Sequence, residues 1–257
     1  MTTPLVPTSS SDRPADEVDV VGEAVRRALA EVFRQVDASI QVAWRLGEGD
    51  RLEPGSVIAS LDGPLAPILT AERTALNFLG HLSGIATLVS RWVDAAAGRV
   101  VIWDTRKTTP GLRSLEKAAV RAGGGHNHRA NLSDRVMLKD NHLFGTDITS
   151  AVARSRDLWP DRIVHVECDT LDQVREALSA GADALLLDNM VPDLVREAVG
   201  IARSFGEDGG SVPLLEASGG ITLETVADYA ATGVDCVSSG SLTQAAPALD
   251  IGLDLDR

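Results

Sequence analysis

The chain has 257 residues, 44% of them hydrophobic, and a formal net charge of -13. This suits one large α/β domain, or a small domain joined to one, with ample apolar material for a core. The acidic balance, one Tyr and four Phe argue against a nucleic-acid or anionic-membrane surface, and no run approaches the ~18 apolar residues of a membrane helix.

Residues 1–17, MTTPLVPTSSSDRPADE, lack the basic and apolar segments of a secretory signal and read as a flexible tail. Residues 18–98 form a first domain. In EAVRRALAEVFRQV, the residues Val25, Leu29, Val32 and Phe33 share one helical face. VAWRLGEGDRLEPGSVIASLDG follows, with two or three short strands around a Gly-Glu-Gly-Asp turn and a Pro-Gly turn. The stretch TAERTALNFLGHLSGIATLVSRWVDAAAG then predicts a long helix with the stripe Leu76, Leu79, Leu82, Ala86, Val89 and Val93. Arg73, Asn77, His81 and Gly84 lie together elsewhere on it, and the small residues Gly80, Ser83 and Gly84 let another backbone approach closely. Packing alone could explain that face.

From residue 99 to 257 the pattern becomes apolar strand, polar end, helix, repeated. The strands are VVIWDTRK, RVMLKDNH, RIVHVECD, ADALLLDN, PLLEASGG and VDCVSSGS, with helices such as TLDQVREALSAG and TLETVADYAATG between them. Alternating β and α elements imply a parallel sheet, and near-continuous apolar strands imply burial on both faces. Cys168 and Cys236 sit inside these runs, as buried reduced thiols of a cytosolic protein would. Each strand finishes in chemistry: Asp104, Arg106 and Lys107; Lys139, Asn141 and His142; Glu167 and Asp169; Asp188 and Asn189; Glu216 and Ser218; Ser239 and Gly240. Functional groups at the carboxyl ends of many strands are what a barrel mouth collects, whereas a doubly wound sheet concentrates them at one switch point. A barrel-like fold is expected.

Charge is unevenly placed. Between Asp104 and His142 stand eight Lys/Arg against four Asp/Glu, with three of the five histidines. A solvated helix face is the bland explanation. The cations are interleaved with Gly, Thr, Pro and Asn, however, which favours a loop-built pocket for a small anion. Gly219 and Gly220 precede a helix, and Ser239 and Gly240 end the last strand. Backbone N–H groups in such turns can hold a phosphate, and barrel phosphate sites form after the last two strands. Lys139 could be a Schiff-base lysine of an aldolase, an anion clamp or a plain salt-bridge partner. Glu167 and Asp188 could hold sugar hydroxyls or a Mg²⁺ carried in by a polyphosphate, or pair with nearby cations. His126-Asn127-His128 has the look of a metal-binding pair, but the glycines before it and the arginine after it do not suit a ligand-bearing strand.

DTRKTTPG, the EK and AVR that follow, GGGHNHR and LSDRVMLKDNH resemble the quinolinate phosphoribosyltransferases. The similarity continues through ERTALNFLGHLSGIAT, LLLDNM, LEASGGIT, TGVD and APALD, and spans about residues 40–255. The resemblance implies a small N-terminal α/β sandwich domain on an incomplete, seven-stranded α/β barrel, assembled as a homodimer or a hexamer of dimers. It implies decarboxylating transfer from phosphoribosyl pyrophosphate (PRPP), with Mg²⁺, to quinolinate, in a cytoplasmic enzyme of NAD biosynthesis with no organic cofactor. On this resemblance Arg106, His128 and Arg129 bind the quinolinate carboxylates, and Arg73 joins them from the partner subunit. Lys107 and Lys139 serve the diphosphate and the reacting centre. Glu167 and Asp188 serve the ribose and Mg²⁺, with Ser218, Gly219, Gly220, Ser239 and Gly240 in the 5-phosphate loops. The chain starts later than the family pattern, so the sandwich domain is expected to be truncated. Gln244 stands where the family usually has His, and Ala122 where it often has Cys.

Overall fold

The computed structural model describes residue 26 and residues 28–254, so the tail assigned to residues 1–17 and the face position Val25 lie outside the described residues. The described chain divides into two compact units. One comprises residues 91–106 and 126–240; the other comprises residues 26, 28–90, 107–125 and 241–254. The helix 113–122 and the C-terminal segment thus pack with residues that precede them by far in sequence, which a linear division at 98/99 does not anticipate.

The first unit is built on six parallel strands: β3 (Val101–Trp103), β4 (Val136–Leu138), β5 (Val164–Cys168), β6 (Ala184–Asp188), β7 (Leu214–Ser218) and β8 (Cys236–Ser238). Their spatial order is β3-β8-β7-β6-β5-β4. All six fall within the apolar runs read from the sequence. Helices α3 (Ile148–Leu158), α4 (Leu171–Ser179), α5 (Pro192–Glu207) and the short α6 (Val226–Ala230) connect β4 through β8. Helix α4 starts at a reciprocal cap: the Thr170 hydroxyl accepts from Gln173 N at 3.3 Å, while Gln173 Oε1 accepts from Thr170 N at 3.0 Å.

Register decides which side chains share a face. The pairs Val101↔Cys236, Glu216↔Cys236, Leu186↔Glu216, Asp188↔Ser218, Glu167↔Leu186 and Met137↔His165 put Trp103, Ser238, Glu216, Ser218, Asp188, Glu167, His165 and Met137 on one side. Lys139, two residues beyond Met137, continues it. The opposite side carries Ile102, Val237, Leu215, Ala217, Leu185, Leu187, Val164, Val166 and Cys168, each no more than 3% exposed. Chemistry and helix packing are therefore separated by the strand's two-residue period.

In the other unit, residues 28–36 are helical and Leu29 and Phe33 are buried on the expected face, with Val32 partly buried beside them. Two antiparallel strands follow, β1 (Gln41–Trp44) and β2 (Ala59–Asp62); the third suggested by the sequence is not formed. Helix α1 runs from Leu65 to Ala96. Of its predicted stripe only Leu82 and Val89 are fully buried; the buried line is instead Ile68, Ala71, Ala75, Leu82, Ile85, Val89, Trp92 and Ala96. The phase differs because the helix also buries its small-residue side. Leu249 N donates to Gly80 O at 3.0 Å, and a Cβ at Gly84 would overlap the Pro247 carbonyl. The glycine triplet before the histidines has a similar cause: a Cβ at Gly125 would lie 2.8 Å from Val89 and 2.9 Å from Val120 side-chain carbons. Helix α2 (Arg113–Ala122) and the four-residue α7 (Ser241–Gln244) complete this unit.

Candidate active site

The HNHR loop is pinned by two buried carboxylates of the first unit. Asp104, at the end of β3 and fully buried, accepts His128 N and Asn127 Nδ2, each at 2.8 Å. His126 adds a single parallel bridge to Trp103. From β7, the fully buried Glu216 meets His128 Nε2 through Oε2 at 3.1 Å. The other ring nitrogen of His128 accepts Arg129 N at 2.8 Å. That acceptor role leaves Nε2 to carry the proton and donate to Glu216. His128 also packs edge-on against Trp103 and stacks on His165, with ring centroids 5.1 and 5.8 Å apart.

His165 is fully buried, and neither ring nitrogen has a hydrogen-bond partner; its Nε2 lies 3.4 Å from Glu216 Oε2. Burial pushes this imidazole down to about 3, against the pull of Glu216. Glu216 itself feels an upward push from burial, outweighed by the His128 hydrogen bond and the neighbouring imidazoles, so it stays ionised. Ligand atoms of His128, His165 and Glu216 all lie within 4.8 Å of one another, a grouping that could hold a transition metal. His126 is not part of it.

Three guanidinium groups share this region. Burial, then the charges of Arg106 and Arg135, lower the pKa of Arg129, with Glu216 and Asp134 opposing. Arg129 is 8% exposed and its Nη2 lies 3.1 Å from Met137 Sδ. Arg135 sits over the Trp103 ring at 5.3 Å, and its Nη1 is buried without a partner. Guanidinium groups brought together around Arg129 offer the fork geometry that takes a compact anion such as a carboxylate.

At the strand ends, Lys139 Nζ forms an ion pair with Glu167 Oε2, joining two expected site residues. Asp188 Oδ2 accepts Asn189 Nδ2 at 2.5 Å. Asn189 has φ 55° and donates its N–H to Ser218 O at 2.9 Å, binding the β6 end to the β7 end. Gly219, at φ 87°, abuts this asparagine: a Cβ there would lie 2.7 Å from Asn189 N. Ser238 Oγ donates to Ser218 Oγ at 3.0 Å, and Ser239 N to Trp103 O at 3.2 Å. The helix read over TLETVADYAATG is shorter than expected: α6 begins only at Val226, so any anion held after Gly219-Gly220 meets loop N–H groups rather than a helix terminus.

Arg106 belongs to the first unit and Lys107 to the other, as does Arg73. Arg73 and Lys107 are exposed, and Thr243 Oγ1 donates to Lys107 O at 2.8 Å. In that unit the fully buried Glu116 receives Thr109 N at 3.1 Å and meets His81 Nε2 at 2.8 Å. This gives His81 a partner and orders the TTPG segment. Sequence reasoning placed Glu216 at a strand end without a role, and passed over Arg135 and His165. The available signal was a polar residue at an alternate position of a strand otherwise fit for burial, in VHVEC and LLEAS.

Residues 85–254 match the model of the quinolinate phosphoribosyl transferase C-terminal domain, and residues 20–83 that of its N-terminal domain. A probable nicotinate-nucleotide pyrophosphorylase [carboxylating] of Bacillus subtilis is 43% identical over 230 residues, covering 88% of this chain and 77% of the relative. The nicotinate-nucleotide pyrophosphorylase [carboxylating] of Mycobacterium leprae is 43% identical over 229 residues, covering 88% and 78%. The crystal structure of nicotinate-nucleotide pyrophosphorylase from Ehrlichia chaffeensis superposes with a TM-score of 0.83 at 38% identity, covering 90% of this chain and 82% of that one. With the sheet, the strand-end chemistry and both domain models in agreement, the chain belongs to the quinolinate phosphoribosyl transferase family.

Proposed function

We propose that this chain transfers the phosphoribosyl group of PRPP to the ring nitrogen of quinolinate, with loss of carbon dioxide. The products are nicotinate mononucleotide and pyrophosphate, in de novo NAD biosynthesis. The observation that carries this reading is the gathering of Arg106, Arg129 and Arg135 near one another in a chain of net charge -13. A dicarboxylate offsets the charge that Arg106 and Arg135 impose on Arg129; a neutral acceptor does not.

The resemblance gives the carboxylates to Arg106, His128 and Arg129. With both ring nitrogens of His128 engaged by Glu216 and Arg129 N, this reading keeps Arg106 and Arg129 on the carboxylates and has His128 orient the loop that bears Arg129. Arg73 joins from the partner subunit of a homodimer, alone or within a hexamer of dimers; its exposure on α1 suits that role. As pyrophosphate leaves, C1 of the ribose gains positive charge. In this reading Glu167 and Asp188 stabilise it, and Lys139 and Lys107 serve the departing phosphates. The nitrogen–C1 bond forms as the C1–pyrophosphate bond breaks. The positively charged ring then accepts the electron pair released with carbon dioxide, and the ring carbon takes a proton. Orientation and charge suffice, with no strong base required. Glu167 and Asp188 offer oxygen donors of the kind Mg²⁺ takes, and Mg²⁺ bound there with PRPP would neutralise diphosphate charge. Ser218, Gly219, Gly220, Ser239 and Gly240 would hold the 5-phosphate.

The proposal includes an incomplete seven-stranded barrel, supported by the bridge of His126 beyond β3. It also includes a cytosolic setting, supported by two buried free thiols; no helix among the described residues is long and apolar enough to cross a membrane. The test supplies purified protein with quinolinate, PRPP and Mg²⁺. Equal release of carbon dioxide and pyrophosphate is expected; turnover of nicotinate in place of quinolinate would overturn the reading.

A further inference from the structure

The site offers a role for a residue to which the reaction itself assigns none. We propose that Glu216 is a positioning residue that locks one tautomer of His128 and, through it, places Arg129 for carboxylate binding. The inference rests on the quinolinate reading above and adds a residue to it.

The chain of contacts is continuous. Glu216 Oε2 takes His128 Nε2 at 3.1 Å, and His128 Nδ1 takes the backbone N–H of Arg129 at 2.8 Å. Both ring nitrogens are thereby engaged within the protein. His128 in this state offers no ring N–H to a ligand, and its contribution passes through the backbone of the next residue. An imidazole with Nδ1 protonated could not accept from Arg129, so the proton must reside on Nε2, and an anionic acceptor at Nε2 enforces that choice. This is the arrangement by which a carboxylate orients an imidazole ligand in metal sites, here applied to a loop.

The surroundings suit an anion at Glu216. The charged and titratable groups near it are Arg129, Arg135, His128 and His165, all potential cations, and Cys236, its register partner on β8, whose thiol burial pushes up and so keeps uncharged; Ser238 is its hydroxyl neighbour. The same groups disfavour a divalent metal at His128, His165 and Glu216. A single carboxylate would have to offset a dication beside two guanidiniums. His165, with neither ring nitrogen hydrogen-bonded, stacks on His128 and limits ring rotation.

The first test needs no variant. With ¹⁵N-labelled histidine, the long-range nitrogen–proton spectrum of the intact protein should show His128 with a protonated Nε2 and a bare Nδ1. A His128 protonated at Nδ1 would overturn the proposal. The second test is Glu216→Gln, whose amide both donates and accepts and therefore no longer dictates the tautomer. The KM for quinolinate should rise on the order of tenfold or more, as for loss of a charged hydrogen bond. The KM for PRPP should stay within about twofold of wild type, and the His128 signals should become mixed. A folded variant with unchanged quinolinate KM and unchanged His128 signals refutes the role. So does a stoichiometric transition metal in the purified protein that Glu216→Gln loses, because Nε2 would then be a ligand. Wild-type protein without quinolinate turnover would instead sink the functional reading, while the spectrum still reports on the tautomer.

Discussion

Two glycine-to-alanine substitutions in long helices should move stability in opposite directions. Alanine favours a helix interior over glycine by about 0.8–1.0 kcal/mol. At Gly200, exposed in α5, an added Cβ meets nothing within 4 Å, so Gly200→Ala should stabilise the protein by most of that amount. At Gly84 in α1 the same methyl would overlap the Pro247 carbonyl and crowd Ala248 Cα at 3.2 Å. Overpacking costs roughly 1–3 kcal/mol. Displacing the 247–249 segment also endangers the Leu249 N to Gly80 O hydrogen bond, with a net loss of about 1 kcal/mol. The propensity gain offsets only part, leaving Gly84→Ala destabilised by about 1–3 kcal/mol. Urea unfolding of the three proteins measures the difference, which should be about 2–4 kcal/mol between the variants. A Gly84→Ala midpoint equal to or above wild type, with an unchanged slope, would refute the close approach of 247–249 to α1.

Other consequences are measurable. Buried His165 stays neutral down to about pH 3, whereas the unfolded chain protonates it near 6.5. Its contribution is thus fully present above 6.5 and is lost as pH falls through that window, by a little over 1 kcal/mol per unit. His165→Phe should lose correspondingly less stability than wild type between pH 7 and pH 5; parallel losses would contradict a buried neutral imidazole. Asp188→Asn should lower kcat by about 10²–10³-fold through lost charge stabilisation while leaving quinolinate binding, read by calorimetry, nearly intact. Arg73→Ala should weaken quinolinate binding, and refolding it together with Arg129→Ala should restore partial activity through mixed dimers. Normal quinolinate affinity in Arg73→Ala would end the cross-subunit assignment.

Strand identity was legible because VVIWD, RVMLK, VHVEC, ALLLD, LLEAS and CVSSG join a two-residue alternation to an apolar run. The strand ends likewise singled out Lys139, Glu167 and Asp188 as charges terminating apolar runs, and the first two meet in an ion pair. The phase of α1 was not legible. A helix covered on two sides has no single stripe, and the segment that lies on Gly80 and Gly84 comes from residues 247–249. Nor could spacing reveal that Glu216 reaches His128, 88 positions away in the chain. Register across β7, β8 and β3 creates that meeting. The delay of α6 after Gly219-Gly220 was missed for a smaller reason: the Thr225 hydroxyl accepts from Thr222 N and donates to Thr222 O, and forms a turn before the helix begins.

The backbone passes between the two compact units after residues 90, 106, 125 and 240. No single continuous stretch of gene therefore encodes either unit. A fragment ending near residue 98 would lack α2 and the strand of chain that covers Gly80 and Gly84. A fragment beginning there would carry both pieces without their partner helix. Domain shuffling by simple recombination is closed to such a fold, and splitting it for complementation calls for breaks within a unit's surface loops, such as the polar turn at 130–134, rather than at the boundary between units.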